Sequence, residues 1–132
     1  SLMYLKNKYN NKEFTLIGYS GGGAVALLLA SRAKEVKRVI TIAGNLDTNK
    51  WTSLHKVTAL EYSLNPSDYT NKLENIEQFH LIGKKDKVVP EDIFLSYFSK
   101  FKKKDKIKYL YVDSDHSCCW QVPYKTFLDE LK

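Results

Sequence analysis

Apolar residues fall in short runs whose period changes along the chain. Leu2, Leu5 and Tyr9 share one face at i, i+3, i+7 spacing, which predicts a short helix over residues 2–9, closed by Asn10 and Asn11. Residues 14–18 form a short apolar run, suited to a strand buried on both faces. Residues 21–33 are rich in Ala and Leu and predict a helix. A β-branched run over 38–43 ends at Gly44 and predicts a second strand. Residues 45–77 hold Trp51, His55, Tyr62, Pro66 and Tyr69 among Asn, Thr and Ser, with no sustained period. A long irregular stretch of this kind reads as a lid or binding loop.

Regular patterning then resumes. Residues 79–83 predict a third strand, and Pro90, Glu91 and Asp92 open a helix with a proline and two acids at its positive end. Residues 107–112 predict a fourth strand, and 123–131 a closing helix. Strand and helix alternate, which places the chain in the α/β class, a parallel sheet of about four strands with flanking helices. At 132 residues the chain has room for one domain.

Composition narrows the classes further. The chain is 43% hydrophobic and 27% charged, the balance of a globular protein rather than a disordered or fibrous one. No apolar run approaches the roughly 18 residues of a membrane span; the longest covers 24–30. The net charge is +6, but residues 100–108 carry six lysines and one aspartate, so the basicity is a local patch. Only Arg32 and Arg38 offer forked donors, which speaks against nucleic acid as a partner. The lysine stretch is expected to be a solvated face at a helix end. Cys118 and Cys119 are adjacent, about 3.8 Å apart at Cα. That is too close for an unstrained disulfide, so they are expected as free thiols, small hydrophobes or a reactive pair.

The first candidate for chemistry follows the first buried strand. Gly18-Tyr19-Ser20-Gly21-Gly22 is a G-x-S-x-G sequence between a predicted strand and a predicted helix. A serine on such a tight turn is lifted clear of the sheet, and the turn calls for glycines around it. The helix N-terminus beside Ser20 favours developing negative charge, with the Gly21 N–H as the first oxyanion donor. A phosphate-cradling turn or a plain βα turn are the competing readings. The glycines do not fit a dinucleotide-binding G-x-G-x-x-G.

An acid and a histidine should follow in that order. Asp86 lies in the loop after the third predicted strand and His116 in the loop after the fourth, on the same sheet edge as Ser20. In these roles Ser20 attacks, His116 moves the proton and Asp86 fixes the imidazole tautomer. Each has a plainer reading: Asp86 as a surface turn among Lys84, Lys85 and Lys87, and His116 as a solvated loop histidine. Asp47, after the second strand, is the reserve acid. Asp113 and Asp115 flank His116 too closely to orient it. His80 is expected to pack within its strand, and His55 to sit at the surface or touch substrate.

These three motifs in order resemble the α/β-hydrolase fold. GYSGG is similar to its nucleophile elbow, GKKDKVVP to its acid loop and DSDH to its histidine loop, and the resemblance runs from about Glu13 to the end. The stretch AGNLDTNKW…SLNP is similar to a segment of some bacterial hydrolases of unassigned substrate. The resemblance implies the C-terminal half of an eight-stranded fold. The strand over 14–18 would then be an open edge, inviting a second copy or a missing N-terminal half. A second oxyanion donor would also be absent, at a cost of about 10²–10³ in rate.

The resemblance implies a serine hydrolase of small or medium carboxylic esters, weak or inactive as this chain. A non-catalytic interaction module and an acyltransferase using the same triad are the alternatives. No cofactor, metal, nucleic acid or membrane span is expected. The compartment is left open, with the cytoplasm as the default.

Overall fold

The computed structural model describes residues 2–6, 14–55 and 64–116, with the backbone alone for 2–6. Its elements in order are β1 (Leu2–Lys6), β2 (Phe14–Tyr19), α1 (Gly21–Ala30), β3 (Val36–Ile42), α2 (Thr48–Leu54), a 3-10 turn (Pro66–Tyr69), α3 (Thr70–Leu73), β4 (Glu77–Gly83), α4 (Glu91–Ser99) and β5 (Ile107–Val112). Among the described residues the strands form one sheet in the order β1-β2-β3-β4-β5. β2 through β5 are parallel, as the alternation of strands and helices predicts.

Two expectations fail at the N-terminal end. Residues 2–6 are a strand, not the start of a helix, and β1 runs antiparallel to β2 from Leu2 opposite Gly18 to Lys6 opposite Phe14. Three apolar residues are too few to separate a helical period from a strand. The unpaired N–H and C=O groups along β2 are satisfied by a neighbouring strand, and that long-range gain outweighs a weak local preference. The nucleophile strand is therefore not the open edge. Among the described residues the edges of the sheet are β1 and β5.

The parallel strands are apolar on both faces, and their alternation splits the core in two. Leu16, Val39 and Ile82 face one cluster with Leu27 of α1 and Ile93, Phe94 and Tyr97 of α4. Ile17, Ile40, Phe79 and Leu81 face the other, with Ile42, Ala43 and Val112. Burying a side chain as fully as Leu27 or Ile40 is worth about 1.5–3 kcal/mol.

The described parts of the expected lid region hold short helical elements set by their own caps. Asp47 accepts from the Lys50 N–H to start α2, and Asn65 accepts from Ser67 to start the 3-10 turn. Short helices of this length leave no apolar period to read in the sequence. Lys102, Lys103, Lys104 and Lys106 are exposed between α4 and β5, as a solvated face requires. The expected helix over 123–131 and the Cys118–Cys119 pair lie outside the described residues.

Candidate active site

The C-terminal ends of β2, β4 and β5 carry the three candidate residues. Between β2 and α1 the chain reverses within one residue. Ser20 has φ 53° and ψ −120°, a left-handed conformation that side chains avoid. Its N–H donates to Ile42 O at 2.9 Å, and its own carbonyl accepts from Gly23 N–H and Asn45 N–H. The elbow is thus bonded on both sides to α1 and to the turn after β3. Ala43 in that turn also has positive φ, 50°. Backbone strain of about 1–3 kcal/mol per residue collects around Ser20, as it does at functional sites.

Gly18 explains why the elbow needs glycine. A Cβ there would sit 2.2 Å from Gly22 O and 2.6 Å from Gly23 N, both backbone atoms that have nowhere to go. Gly21 differs, because a Cβ there would meet nothing within 4 Å. Of these two glycines around Ser20, steric necessity falls on Gly18 alone. The Ser20 side chain does not cap its own helix, so its hydroxyl is not spent on α1. The first N–H groups of α1, from Gly21 on, have no carbonyl one turn earlier within the helix to bond.

Asp86 and His116 are brought together. Asp86 Oδ2 lies 2.9 Å from His116 Nδ1. The other oxygen, Oδ1, accepts from Val88 N–H at 2.9 Å and Val89 N–H at 2.7 Å. The carboxylate is fully buried and the imidazole is 20% exposed. Asp86 is thus no solvated surface aspartate, although Lys84, Lys85 and Lys87 around it are exposed. A carboxylate held at both oxygens makes Nδ1 the proton-bearing nitrogen and leaves Nε2 as the basic one in the neutral ring. Among the described residues no hydrogen bond joins Ser20 Oγ to the imidazole. Such contacts are often long in unliganded enzymes and tighten with substrate.

The remaining acids and histidines have other tasks. Asp47 is not positioned as a reserve acid, because its buried carboxylate is committed to Lys100 Nζ at 2.9 Å, to Ser96 Oγ at 2.5 Å and to Asn65 Nδ2 at 2.9 Å. Burial pushes this carboxyl up, but the hydrogen bonds from Ser96, Asn65, Lys100 and the Lys50 N–H outweigh it and hold it well below the usual range. Asp113 forms an exposed ion pair with Lys85 at 3.2 Å. His80 is buried in β4 between Thr41 Oγ1 and Gln78 Oε1. His55 directs Nε2 to Val88 O and packs against Trp51, the ring centroids 4.8 Å apart and the planes tilted by 46°.

Sequence reasoning missed the parts that hold the acid loop. Val88 and Val89 act through their backbone, and Trp51 and His55 both reach Val88 O from α2 and its C-terminal end. The one local signal was the aspartate two residues before Val88, the spacing of an Asx turn. Among the described residues no group of three or more His, Cys, Asp or Glu side chains has the arrangement of a metal site. No described helix is long and apolar enough to cross a membrane.

The fold is shared with known proteins. Residues 1–75 match the family model described as alpha/beta hydrolase fold. Among solved structures, the chain superimposes on the esterase Pf2001 of Pyrococcus furiosus with a TM-score of 0.70 and 19% identity, over 91% of this chain and 51% of that one. An esterase domain from a Rhodothermus marinus protein gives 0.60 and 21% identity, over 77% of this chain and 50% of that one. A monoacylglycerol lipase from Paleococcus ferrophilus gives 0.61 and 17% identity, over 91% and 68%. The chain spans about half the length of the first two. No curated protein matches it in sequence.

Proposed function

The chain belongs to the α/β-hydrolase fold family, and from that premise we propose that it is a serine hydrolase acting on carboxylic esters through an acyl-enzyme. The observation that carries this reading is the buried Asp86–His116 pair at 2.9 Å, on the same sheet edge as a strained, uncapped Ser20. Structural likeness to two esterases and a monoacylglycerol lipase supports the ester as substrate class.

In this mechanism His116 Nε2 takes the Ser20 hydroxyl proton as Oγ bonds to the ester carbonyl carbon. The carbonyl oxygen takes the negative charge and is met by the Gly21 N–H at the start of α1. The C–O bond to the alcohol then breaks, and His116 returns the proton to the departing alkoxide oxygen. Water repeats the sequence against the acyl-serine, releasing the acid and restoring Ser20. Asp86 holds the ring in the required tautomer and stabilises the imidazolium formed in each half.

Active-site labelling with a fluorophosphonate, read by intact mass, tests the assignment. One adduct on the wild type and none on Ser20→Ala is the expected result. A folded wild-type sample that takes up no adduct overturns it.

A further inference from the structure

We infer that Tyr19 is a positioning residue, whose hydroxyl ties the histidine loop to the nucleophile elbow and so sets the alignment of Ser20 with His116. The inference rests on the serine-hydrolase reading above and goes beyond it.

The acid and histidine loops are stitched into one block. Lys84 N–H donates to Val112 O at 2.8 Å, Lys85 N–H donates to Ser114 O at 3.1 Å, and Asp86 holds the His116 ring. These bonds fix His116 relative to Asp86. They do not fix either residue relative to Ser20, which stands on a different strand and a different turn. A Ser–His pair tolerates little error, since a misplacement of about 1 Å costs on the order of 10²-fold in rate. Some contact must therefore register the block against the elbow.

Tyr19 is built for that contact. It is the residue before Ser20 and the last of β2, where its backbone pairs with Ile42 in the parallel ladder. Its ring packs on the cluster that contains Ile17, Ile40 and Val112. From that fixed base its hydroxyl donates to the His116 carbonyl oxygen. The two rings lie 5.3 Å apart, tilted by 34°. One side chain thus holds both the backbone and the ring of His116, and its own Cα is one peptide from the nucleophile. Burial, and then the negative field of Asp86 and Asp115, raises the phenol pKa, so the hydroxyl keeps the proton it donates.

Tyr19→Phe removes the hydroxyl and leaves the ring in its cluster. Three measurements on the wild-type chain and Tyr19→Phe separate the outcomes: the fluorophosphonate labelling rate, the kcat and KM for a p-nitrophenyl ester, and the far-downfield NMR proton of the Asp86–His116 hydrogen bond. The expected result is labelling slowed by about 10- to 100-fold, the scale of a small misalignment. The loss appears in kcat with KM unchanged, the downfield proton is retained, and the melting temperature falls only by the few degrees that one lost hydrogen bond costs. Labelling of Tyr19→Phe at the wild-type rate overturns the inference and leaves the hydrolase reading intact. Loss of the downfield proton also overturns it, because Tyr19 would then act on the Asp–His pair rather than on its registry with Ser20. A wild type that does not label overturns the reading beneath both.

Discussion

Trp51 Nε1 donates to the Val88 carbonyl at 2.8 Å. His55 Nε2 reaches the same oxygen at 2.6 Å, so this nitrogen carries its proton. The N–H of Val89, which shares a peptide unit with that carbonyl, donates to Asp86 Oδ1 at 2.7 Å. A line of hydrogen bonds thus runs from α2 through one peptide unit to the acid that holds His116. Trp51→Phe keeps a large ring and deletes the donor. It is expected to lower stability by about 0.5–1.5 kcal/mol and to slow fluorophosphonate labelling of Ser20. Urea unfolding and labelling rates measured on the same samples check this. Labelling unchanged against a lowered urea midpoint would confine the clamp to a structural part.

Asp86→Asn tests the tautomer argument directly. The amide oxygen can still accept from Val88 and Val89, which leaves its NH₂ facing His116 Nδ1. That group donates where the carboxylate accepts, so Nδ1 must accept and the ring proton moves to Nε2. A ring protonated at Nε2 cannot take the Ser20 proton. The expected loss in labelling rate is about 10⁴-fold, with the fold retained, the scale known for amidating such an acid. A loss below tenfold would remove Asp86 from the mechanism.

Gly18 and Gly21 lie close to Ser20 but differ in what surrounds them. Gly18→Ala puts a methyl 2.2 Å from a backbone oxygen, so the strand and α1 must separate. A loss at the upper end of the ~1–3 kcal/mol range for overpacking is expected. Gly21→Ala enters open space, retains its N–H for the oxyanion and trades glycine for a better helix former. Its stability should change by less than about 1 kcal/mol, with labelling preserved. Thermal unfolding of the two variants side by side decides the matter.

How much of this was legible in the sequence follows from how local each feature is. The strands β2 to β5 announce themselves as apolar or β-branched runs, several of them ending in glycine. Ser20, Asp86 and His116 are legible as candidates because strand ends are readable and the order serine, acid, histidine restricts the choice. β1 was not legible, since its strand character comes from pairing with β2 and not from any period among Leu2, Met3, Tyr4 and Leu5. Neither was the clamp on Val88, whose donors lie 37 and 33 residues earlier. Asp47 looked like a candidate acid because its type and place fit. Only the arrival of Ser96 and Lys100 from α4 shows that its carboxylate is already in use.

That use makes Asp47 a structural brace. Asp47→Ala leaves Ser96 and Asn65 without their shared acceptor, while Lys100, whose side chain is 43% exposed, turns to water, so the expected loss is about 1–3 kcal/mol. Because its carboxyl is held low in the folded state, its contribution is complete above the ordinary carboxylate pKa. It is lost as pH falls below about 4, where the unfolded chain takes up the proton first. Urea midpoints between pH 5 and pH 3 should fall in the wild type. Asp47→Asn should fall less over the same interval.

His80 acts in a different window. Tyr97 and His80 both donate to Gln78 Oε1, at 2.6 and 3.0 Å, so His80 Nε2 bears the proton and Nδ1 accepts from Thr41 Oγ1 at 2.6 Å. Both nitrogens are satisfied by a neutral ring, and burial lowers its pKa to about 3. The unfolded chain, with an ordinary value near 6.5, binds the proton first as pH falls. The stabilisation is therefore complete above about pH 6.5 and declines below it, by up to about 1.4 kcal/mol per pH unit. Between pH 7 and pH 5 this amounts to roughly 2 kcal/mol. His80→Gln can accept from Thr41 and donate to Gln78 without titrating. It should lower stability at pH 7 yet flatten the slope between pH 7 and pH 5. Parallel slopes in wild type and variant would place the acid sensitivity elsewhere in the chain.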